Sequence, residues 1–140
     1  MTMKKYIATL LILMVVGLMG LANAQMSTTT LKAQIPFAFV VNGQTMPAGE
    51  CVIQVVGTGG TSLAIRSGKQ HVLAFPILDE SSKANRESAF VFHRYGDRYF
   101  LSGVKREGRM SYQLRPSRVE KELRAQNLAA QEFTLLASAN

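Results

Sequence analysis

The sequence has few of the residues that cross-link chains or bind metal ions: one cysteine and two histidines in 140 residues. A single cysteine excludes a disulfide within the chain, so the stability of the fold must come from an apolar core. The two histidines and the cysteine show no ligand spacing, and we expect neither a metal site nor a cofactor. Cys51 lies in the apolar stretch CVIQVV, which indicates a buried strand thiol. The alternative is a disulfide between two chains.

Motifs for nucleophilic and phosphate chemistry are also missing. No G-x-S-x-G elbow occurs, and the glycine-rich run at 57–60 lacks the Gly-Lys-Ser/Thr ending of a phosphate-binding loop. Two histidines and two aspartates are the few candidates for a base and its orienting acid. We therefore expect a non-enzymatic protein, with a small secreted hydrolase using His93 or His71 as the alternative.

Residues 1–24 have the three-part pattern of a signal peptide. MTMKK is cationic, an apolar run of about fifteen residues follows, and Ala22-Asn23-Ala24 is a small-x-small cleavage box. An uncleaved membrane anchor is the alternative, but the shortness of the run and the box favour cleavage after Ala24. Gln25 follows the box, and a lipoprotein would have cysteine there. The pattern predicts export to the periplasm or the medium, with no transmembrane segment in the mature chain.

The mature chain has the size and charge of one moderately basic domain. Cleavage leaves 116 residues, enough for a single core, and removal of Lys4 and Lys5 lowers the net charge from +7 to +5. The expected partners of a basic exported protein are anionic envelope polymers or lipid headgroups. Nucleic acid is not expected, because export removes the chain from its usual cytoplasmic targets.

The mature sequence reads as short strands separated by turn residues. Residues 25–30 are polar and aperiodic and are interpreted as a flexible leader, and 31–140 as a single β-rich domain. Asn42-Gly43 is a strong hairpin signal. The expected strands are 31–41, 50–56, 62–66, 70–78, 89–95, 98–104 and 110–114, and 132–137 either adds a strand or lies against the core.

The pattern changes after residue 116. Ser117 is placed as an N-cap, with Glu120 as its capping-box partner, so a helix is predicted near 117–130. About seven short strands followed by one helix predict an all-β or β-rich fold with one C-terminal helix. The expected architecture is a small antiparallel barrel or sandwich.

The stretch FHRYGDRYFL at 92–101 contains the candidate site. A tight turn at Gly96-Asp97 pairs Tyr95 with Arg98, Arg94 with Tyr99, His93 with Phe100 and Phe92 with Leu101. Phe90, Phe92, Arg94, Tyr99 and Leu101 then share the face expected to pack on the core.

The other face of the hairpin admits two interpretations. The cation and ring pairs Arg98–Tyr95 on this face and Arg94–Tyr99 on the core face explain the cluster structurally, and this interpretation is preferred. The functional alternative is a stacking platform for a sugar ring, a base or an anionic group. Its candidate binding residues are His93, Tyr95, Arg98 and Phe100, with Arg106 and Arg109 nearby.

Four stretches together resemble a family of small exported bacterial proteins that has no assigned activity. They are IPFAF (35–39), NGQTMPAGE (42–50), FHRYGDRYFL (92–101) and LRPSRVEKEL (114–123). The resemblance implies export and a β-rich fold, and it brings no catalytic residue. The sequence departs from the pattern at Cys51, where an aromatic residue is usual after the Ala-Gly turn. This departure favours a packing role for the position over thiol chemistry.

Overall fold

The computed structural model describes residues 29–126 and 128–139. The signal peptide predicted at 1–24 and the first four residues of the predicted leader lie outside this range. The last residue of that leader, Thr30, already begins a strand. Within the described residues, no helix is long and apolar enough to span a membrane.

The described residues form twelve strands and one helix. In chain order they are β1 (Thr30–Ile35), β2 (Phe39–Val41), β3 (Gln44–Met46), β4 (Gly49–Val56), β5 (Ser62–Ser67), β6 (Gln70–Ala74), β7 (Ile77–Asp79), β8 (Ala89–Tyr95), β9 (Arg98–Lys105), β10 (Ser111–Gln113), α1 (Arg118–Ala125), β11 (Gln131–Leu136) and β12 (Ser138–Ala139).

The strands build two open sheets, which makes the fold a β-sandwich. Sheet A has the order β12-β1-β4-β5-β6, and sheet B has the order β11-β8-β9-β10-β7 with β2 and β3 attached to it. The strands pair antiparallel, except that β2 meets β9 in parallel at Val40 and Phe100, and an isolated parallel bridge joins Asn85 to Glu107. The fold class predicted from the sequence is confirmed, and of its two architectures the structure is the sandwich.

The structure has five strands more than the seven predicted: β3, β11 and β12 lie outside the seven segments, and two more arise because the chain changes sheets at prolines. The segment predicted as one strand over 31–41 divides at Pro36 into β1 of sheet A and β2 of sheet B. The segment predicted over 70–78 divides at Phe75-Pro76 into β6 and β7, again in different sheets. Proline has no N–H to donate to a ladder, so it marks the points where pairing with one sheet ends.

The core lies between the two sheets. Alternate residues of β1 and β5 face inward from sheet A, and the rings of Phe39 and Phe92 meet edge to face at 5.5 Å from sheet B. The largest fully buried side chains are Phe39, Phe90, Phe92, Phe100, Leu31, Ile35, Met46, Ile53, Leu63, Ile65, Val41 and Val104. Cys51 is fully buried in this core. A disulfide between two folded chains would therefore require sheet A to open.

Helix α1 begins where the sequence predicts and ends earlier. The side chain of Ser117 accepts a hydrogen bond from the Glu120 N–H at 3.2 Å, which is the expected N-cap contact. The helix stops at Ala125, whereas the prediction extended it to about residue 130. The reason is tertiary: Gln131 begins β11, which pairs with β8 along its whole length. The pairing of β11 draws the chain back to sheet B.

Candidate functional site

The hairpin of β8 and β9 has the predicted register. All four expected pairs are present, from Phe92 opposite Leu101 to Tyr95 opposite Arg98, and a bulge follows between Val91 and Phe92. Phe92 and Leu101 belong to the buried core together with Phe90. The face predicted to pack inward does so, and the opposite face lies on the outside of sheet B.

This outer face is covered by a further layer, helix α1, and two of its rings are therefore buried. Tyr95 is 3% exposed and Phe100 is 2% exposed, and their rings meet edge to face at 5.7 Å. His93 is half-buried and Arg98 is exposed. The predicted stacking platform does not form, because neither Tyr95 nor Phe100 has a free ring face to offer a ligand.

The arginines near the turn lie close to aromatic rings. The guanidinium of Arg94 lies 5.4 Å from the centre of the Tyr99 ring, as predicted. Arg98 lies over Phe100, at 5.5 Å, and not over Tyr95 as the sequence indicated. These cation and ring contacts explain why arginines lie beside aromatic residues at the hairpin end, and no ligand is needed to explain it.

Arg106 and Arg109 are not brought to the hairpin turn. Both follow β9, whose eight residues place them about 25 Å from Gly96. Arg106 lies 4.7 Å from the centre of the Tyr112 ring and donates a hydrogen bond to its hydroxyl at 3.0 Å. Arg109 is exposed, and its carbonyl accepts hydrogen bonds from Asn85. The six predicted binding residues therefore do not make one surface.

The structure instead joins His93 and Tyr95 to Glu120 and Arg124 of α1, and we call these four residues the Glu120 cluster. Glu120 Oε1 accepts hydrogen bonds from the Tyr95 hydroxyl at 3.1 Å and Arg124 Nη2 at 3.3 Å, and it lies 3.0 Å from His93 Nδ1. Arg124 Nε donates to the Tyr95 hydroxyl oxygen at 2.7 Å. The Glu120 side chain is only 4% exposed. A buried carboxylate thus fastens the helix to sheet B.

The charges of the Glu120 cluster compensate one another. Arg124 supplies a positive charge next to the buried carboxylate. A buried carboxylate needs such a partner, because an unpaired charge is costly to bury. Burial raises the pKa of the Tyr95 phenol, so Tyr95 stays protonated and acts as a donor to Glu120. The hydrogen bond to Tyr95 raises the pKa of Arg124, which keeps the guanidinium charged.

Two acceptor atoms of the Glu120 cluster remain available. Every hydrogen bond that the described residues make to the carboxylate goes to Oε1, so Oε2 has no partner among them. Nδ1 of His93 lies nearer to Glu120 Oε1 than to Arg124 Nη2, which is 3.3 Å away. A neutral His93 with its proton on Nδ1 can donate that proton to Glu120. That tautomer leaves Nε2 as an acceptor.

A groove of about 550 Å³ runs over the outer face of sheet B beside the Glu120 cluster. Its floor is the middle of β8, β9 and β10, one wall is α1, and the other wall is the loop after β7. The lining residues are Asp79, Ser82, Lys83, Asn85, Val91, His93, Ser102, Gly103, Val104, Lys105, Ser111, Tyr112, Gln113, Leu114, Glu120, Arg124 and Glu132. Glu120 also borders a smaller pocket of about 210 Å³ on the side of β2.

The groove has a histidine and carboxylate pair but no hydroxyl nucleophile set against it. Ser102 Oγ, the nearest candidate by strand position, donates to the Val91 carbonyl at 3.1 Å. No hydroxyl of a described residue bonds to the His93 ring. His71 is exposed on the edge strand β6, and its ring makes no hydrogen bond to a described carboxylate or hydroxyl. In the described part of the chain, no three histidine, cysteine or acidic residues are placed to hold a metal ion.

Sequence reasoning missed Glu120 and Arg124 as site residues. Glu120 was assigned to the helix cap, and Arg124 lay within the predicted helix without a role of its own. Their spacing of four residues on a helix was the available signal, because it puts an acid and a base on one face. Nothing local showed that this face meets His93, which is 27 residues away in the chain.

Comparison of the chain with known protein families, curated proteins and solved structures finds no match.

Proposed function

We propose that the chain is an exported, non-enzymatic β-sandwich that binds a polar ligand of the cell envelope in the groove beside the Glu120 cluster. The observation that carries this proposal is the groove itself, which is roomy, half-open and lined mainly by polar side chains. Its size lies within the usual range of ligand pockets. The proposed surface lies on the same outer face of the hairpin as the surface expected from the sequence, and it shares His93 with that surface but not Tyr95, Arg98 or Phe100.

The rigidity of one groove wall supports a binding role. His93 and Arg124 are held through Glu120 and Tyr95, so these polar groups are positioned before a ligand arrives. Preorganised groups lose little conformational entropy on binding, which favours affinity. On the opposite wall, Asn85 is tied to Ser111 and to the Arg109 carbonyl.

Export is proposed from the sequence pattern of residues 1–24. It has a direct test: the full chain is produced in a bacterial host, and the protein recovered from the periplasm or medium is sequenced from its N-terminus. A chain beginning at Gln25 is the expected result. A chain that keeps residues 1–24 and sediments with membranes would contradict export as a cleaved protein.

Binding is tested by retention of the exported protein on envelope polysaccharide, on vesicles rich in anionic lipid and on nucleic acid. Gln113→Ala changes an exposed side chain of the groove, and Gln54→Ala is its matched control on the other sheet. The proposal expects retention on an envelope polymer or lipid that Gln113→Ala weakens at least threefold and Gln54→Ala does not. Equal retention of both variants and the wild type on every material would remove the groove from consideration.

Hydrolysis with His93 as a general base is a second candidate, favoured by one observation. The His93 Nδ1 to Glu120 Oε1 distance of 3.0 Å is that of an oriented base, and the ring borders the groove. With no hydroxyl nucleophile in place, the base would have to act on a water molecule. The alternative that used His71 has no such support.

The hydrolase candidate is tested with small chromogenic esters and glycosides. His93→Gln should abolish any turnover, and His71→Gln, which changes an exposed histidine on β6, should leave turnover unchanged. No turnover above the buffer rate by the wild type, or equal turnover by both variants, eliminates this candidate.

A further inference from the structure

The groove differs from the rest of the molecule in its charge. The chain as a whole has a net charge of +7. The groove is lined by three carboxylates, Asp79, Glu120 and Glu132, and by three cations, Lys83, Lys105 and Arg124. The exposed arginines of the hairpin turn and of the helix start do not line it. A surface that attracts polyanions needs an excess of positive charge, and this groove has none.

The free acceptors of the Glu120 cluster favour a ligand that donates hydrogen bonds. Oε2 belongs to a side chain that is 4% exposed and has no partner among the described residues. His93 Nε2 is the second acceptor, on the residue that Oε1 orients. Glu132 adds another carboxylate beside them, because it pairs directly with His93 across β11 and β8. A ligand carboxylate or phosphate would meet repulsion at this wall, whereas a hydroxyl group would find an acceptor.

The remaining polar groups of the groove are amides and a hydroxyl that have both hydrogen-bonding roles, although Gln113 Nε2 already donates to Asp79 and Asn85 Nδ2 to the Arg109 carbonyl. Asn85, Ser111 and Gln113 stand on the wall and floor opposite α1. Gly103 keeps the floor of β9 low, since it has no side chain and the Tyr112 carbonyl oxygen lies 3.0 Å from where a Cβ would stand. Uncharged groups with both hydrogen-bonding roles suit hydroxyl groups, which have the same two roles.

We propose that the ligand of this groove is an uncharged, polyhydroxylated chain, a segment of neutral polysaccharide, with Glu120 Oε2 and His93 Nε2 accepting its hydroxyl protons. This inference rests on the proposed function, and it replaces the anionic polymer expected from the net charge. The exposed arginines outside the groove then serve solubility. Contact with the ligand is made by acceptors and amides on the outer face of sheet B.

The test is affinity electrophoresis of the exported protein in gels containing one polymer each. The probes are three neutral polysaccharides, dextran, hydroxyethyl cellulose and galactomannan, and one anionic polysaccharide, polygalacturonate. The inference expects retardation by at least one neutral polymer and a dissociation constant at least fivefold weaker in Glu120→Gln. Glu122→Gln is the matched control, because Glu122 is exposed on the same helix and does not line the groove.

Gln113→Ala keeps the test falsifiable if Glu120→Gln does not fold, since Gln113 is exposed and lies outside the smaller pocket. Retardation by a neutral polymer that Gln113→Ala weakens and Gln54→Ala does not supports both the inference and the proposed function. Retardation by polygalacturonate alone, weakened by Gln113→Ala and not by Gln54→Ala, overturns the inference of a neutral ligand. It still supports the proposal that the groove binds a ligand. No retardation by any polymer, or retardation insensitive to the groove variants, overturns the inference. The proposed function is overturned as well only if Gln113→Ala is retained on lipid and envelope material as strongly as the wild type.

Discussion

Glu120 is the side chain on which the outer layer of the fold depends. It is the only residue of α1 that is buried, although it is charged. A carboxylate in that position is stable only while its donors remain, because removing a partner leaves buried charge less well compensated. The contribution of the Glu120 cluster to stability is therefore measured by removing one of the donors to Glu120.

Tyr95→Phe tests this dependence with the loss of one oxygen atom. The variant removes the hydroxyl that donates to Glu120 and accepts from Arg124. We expect the free energy of unfolding to fall by about 1.5–3 kcal/mol, the range for hydrogen bonds to charged groups. The measurement is urea unfolding followed by circular dichroism.

Tyr99→Phe is the matched control for this substitution. The Tyr99 ring stacks on Phe37 with centroids 3.6 Å apart, and its hydroxyl makes no hydrogen bond to a described residue. Its removal should change the unfolding free energy by less than about 0.5 kcal/mol. Equal losses in the two variants would show that the phenol of Tyr95 has no special role.

Cys51 is a packing residue whose thiol should be inert in the folded protein. Burial raises the pKa of the Cys51 thiol to about 12, so only about one molecule in ten thousand is a thiolate at pH 8. We expect an aromatic disulfide reagent at pH 8 to label Cys51 only after urea is added. Stoichiometric labelling of the native protein within minutes would contradict the burial, and it would make a disulfide between folded chains feasible.

Among the elements, the β8–β9 hairpin and α1 were predictable to different degrees. The register of the hairpin follows from a two-residue turn and a side-chain period of two, both of which are local. The start of α1 follows from Ser117, again a local signal. The outer layer needs the contact of Glu120 with His93, which no local pattern encodes. The prolines at 36 and 76 indicate that strand pairing weakens there, because proline has no N–H to donate. They do not indicate that the chain then enters the other sheet.

The cap of α1 links the helix to the candidate site. Ser117 fixes the first turn, and that turn presents Glu120 to sheet B. Ser117→Ala should lower the unfolding free energy by about 1 kcal/mol, the usual loss for an N-cap. Because the first turn also positions Glu120, the same variant should bind any groove ligand more weakly.

Ser117→Asp is the rescue variant, since aspartate caps a helix as well as serine does. It should return the free energy of unfolding to within about 0.5 kcal/mol of the wild type. If Ser117→Asp is as unstable as Ser117→Ala, the serine acts through its packing and not as a cap.

Across the sandwich, the chain passes between the sheets on both sides. Ala137 carries it from β11 in sheet B to β12 in sheet A, and Phe75-Pro76 carries it from β6 to β7. The second crossing is apolar and open to solvent: Leu73, Phe75, Ile77 and Leu78 are all exposed. The two strands that it joins, β6 and β7, are edge strands of their sheets. Exposed apolar edges of this kind promote association between copies.

Phe75 is the most exposed large apolar side chain of this edge, at 67%, and Phe75→Lys tests whether the edge causes association. Lysine keeps an aliphatic stem over the crossing and adds a charge that opposes edge-to-edge contact. We expect the apparent mass from light scattering to rise with concentration for the wild type and to stay constant for Phe75→Lys. Val119→Lys adds the same charge on α1, at another exposed apolar side chain that belongs to neither β6 nor β7. If Val119→Lys suppresses association as strongly as Phe75→Lys, net charge and not the apolar edge governs the behaviour.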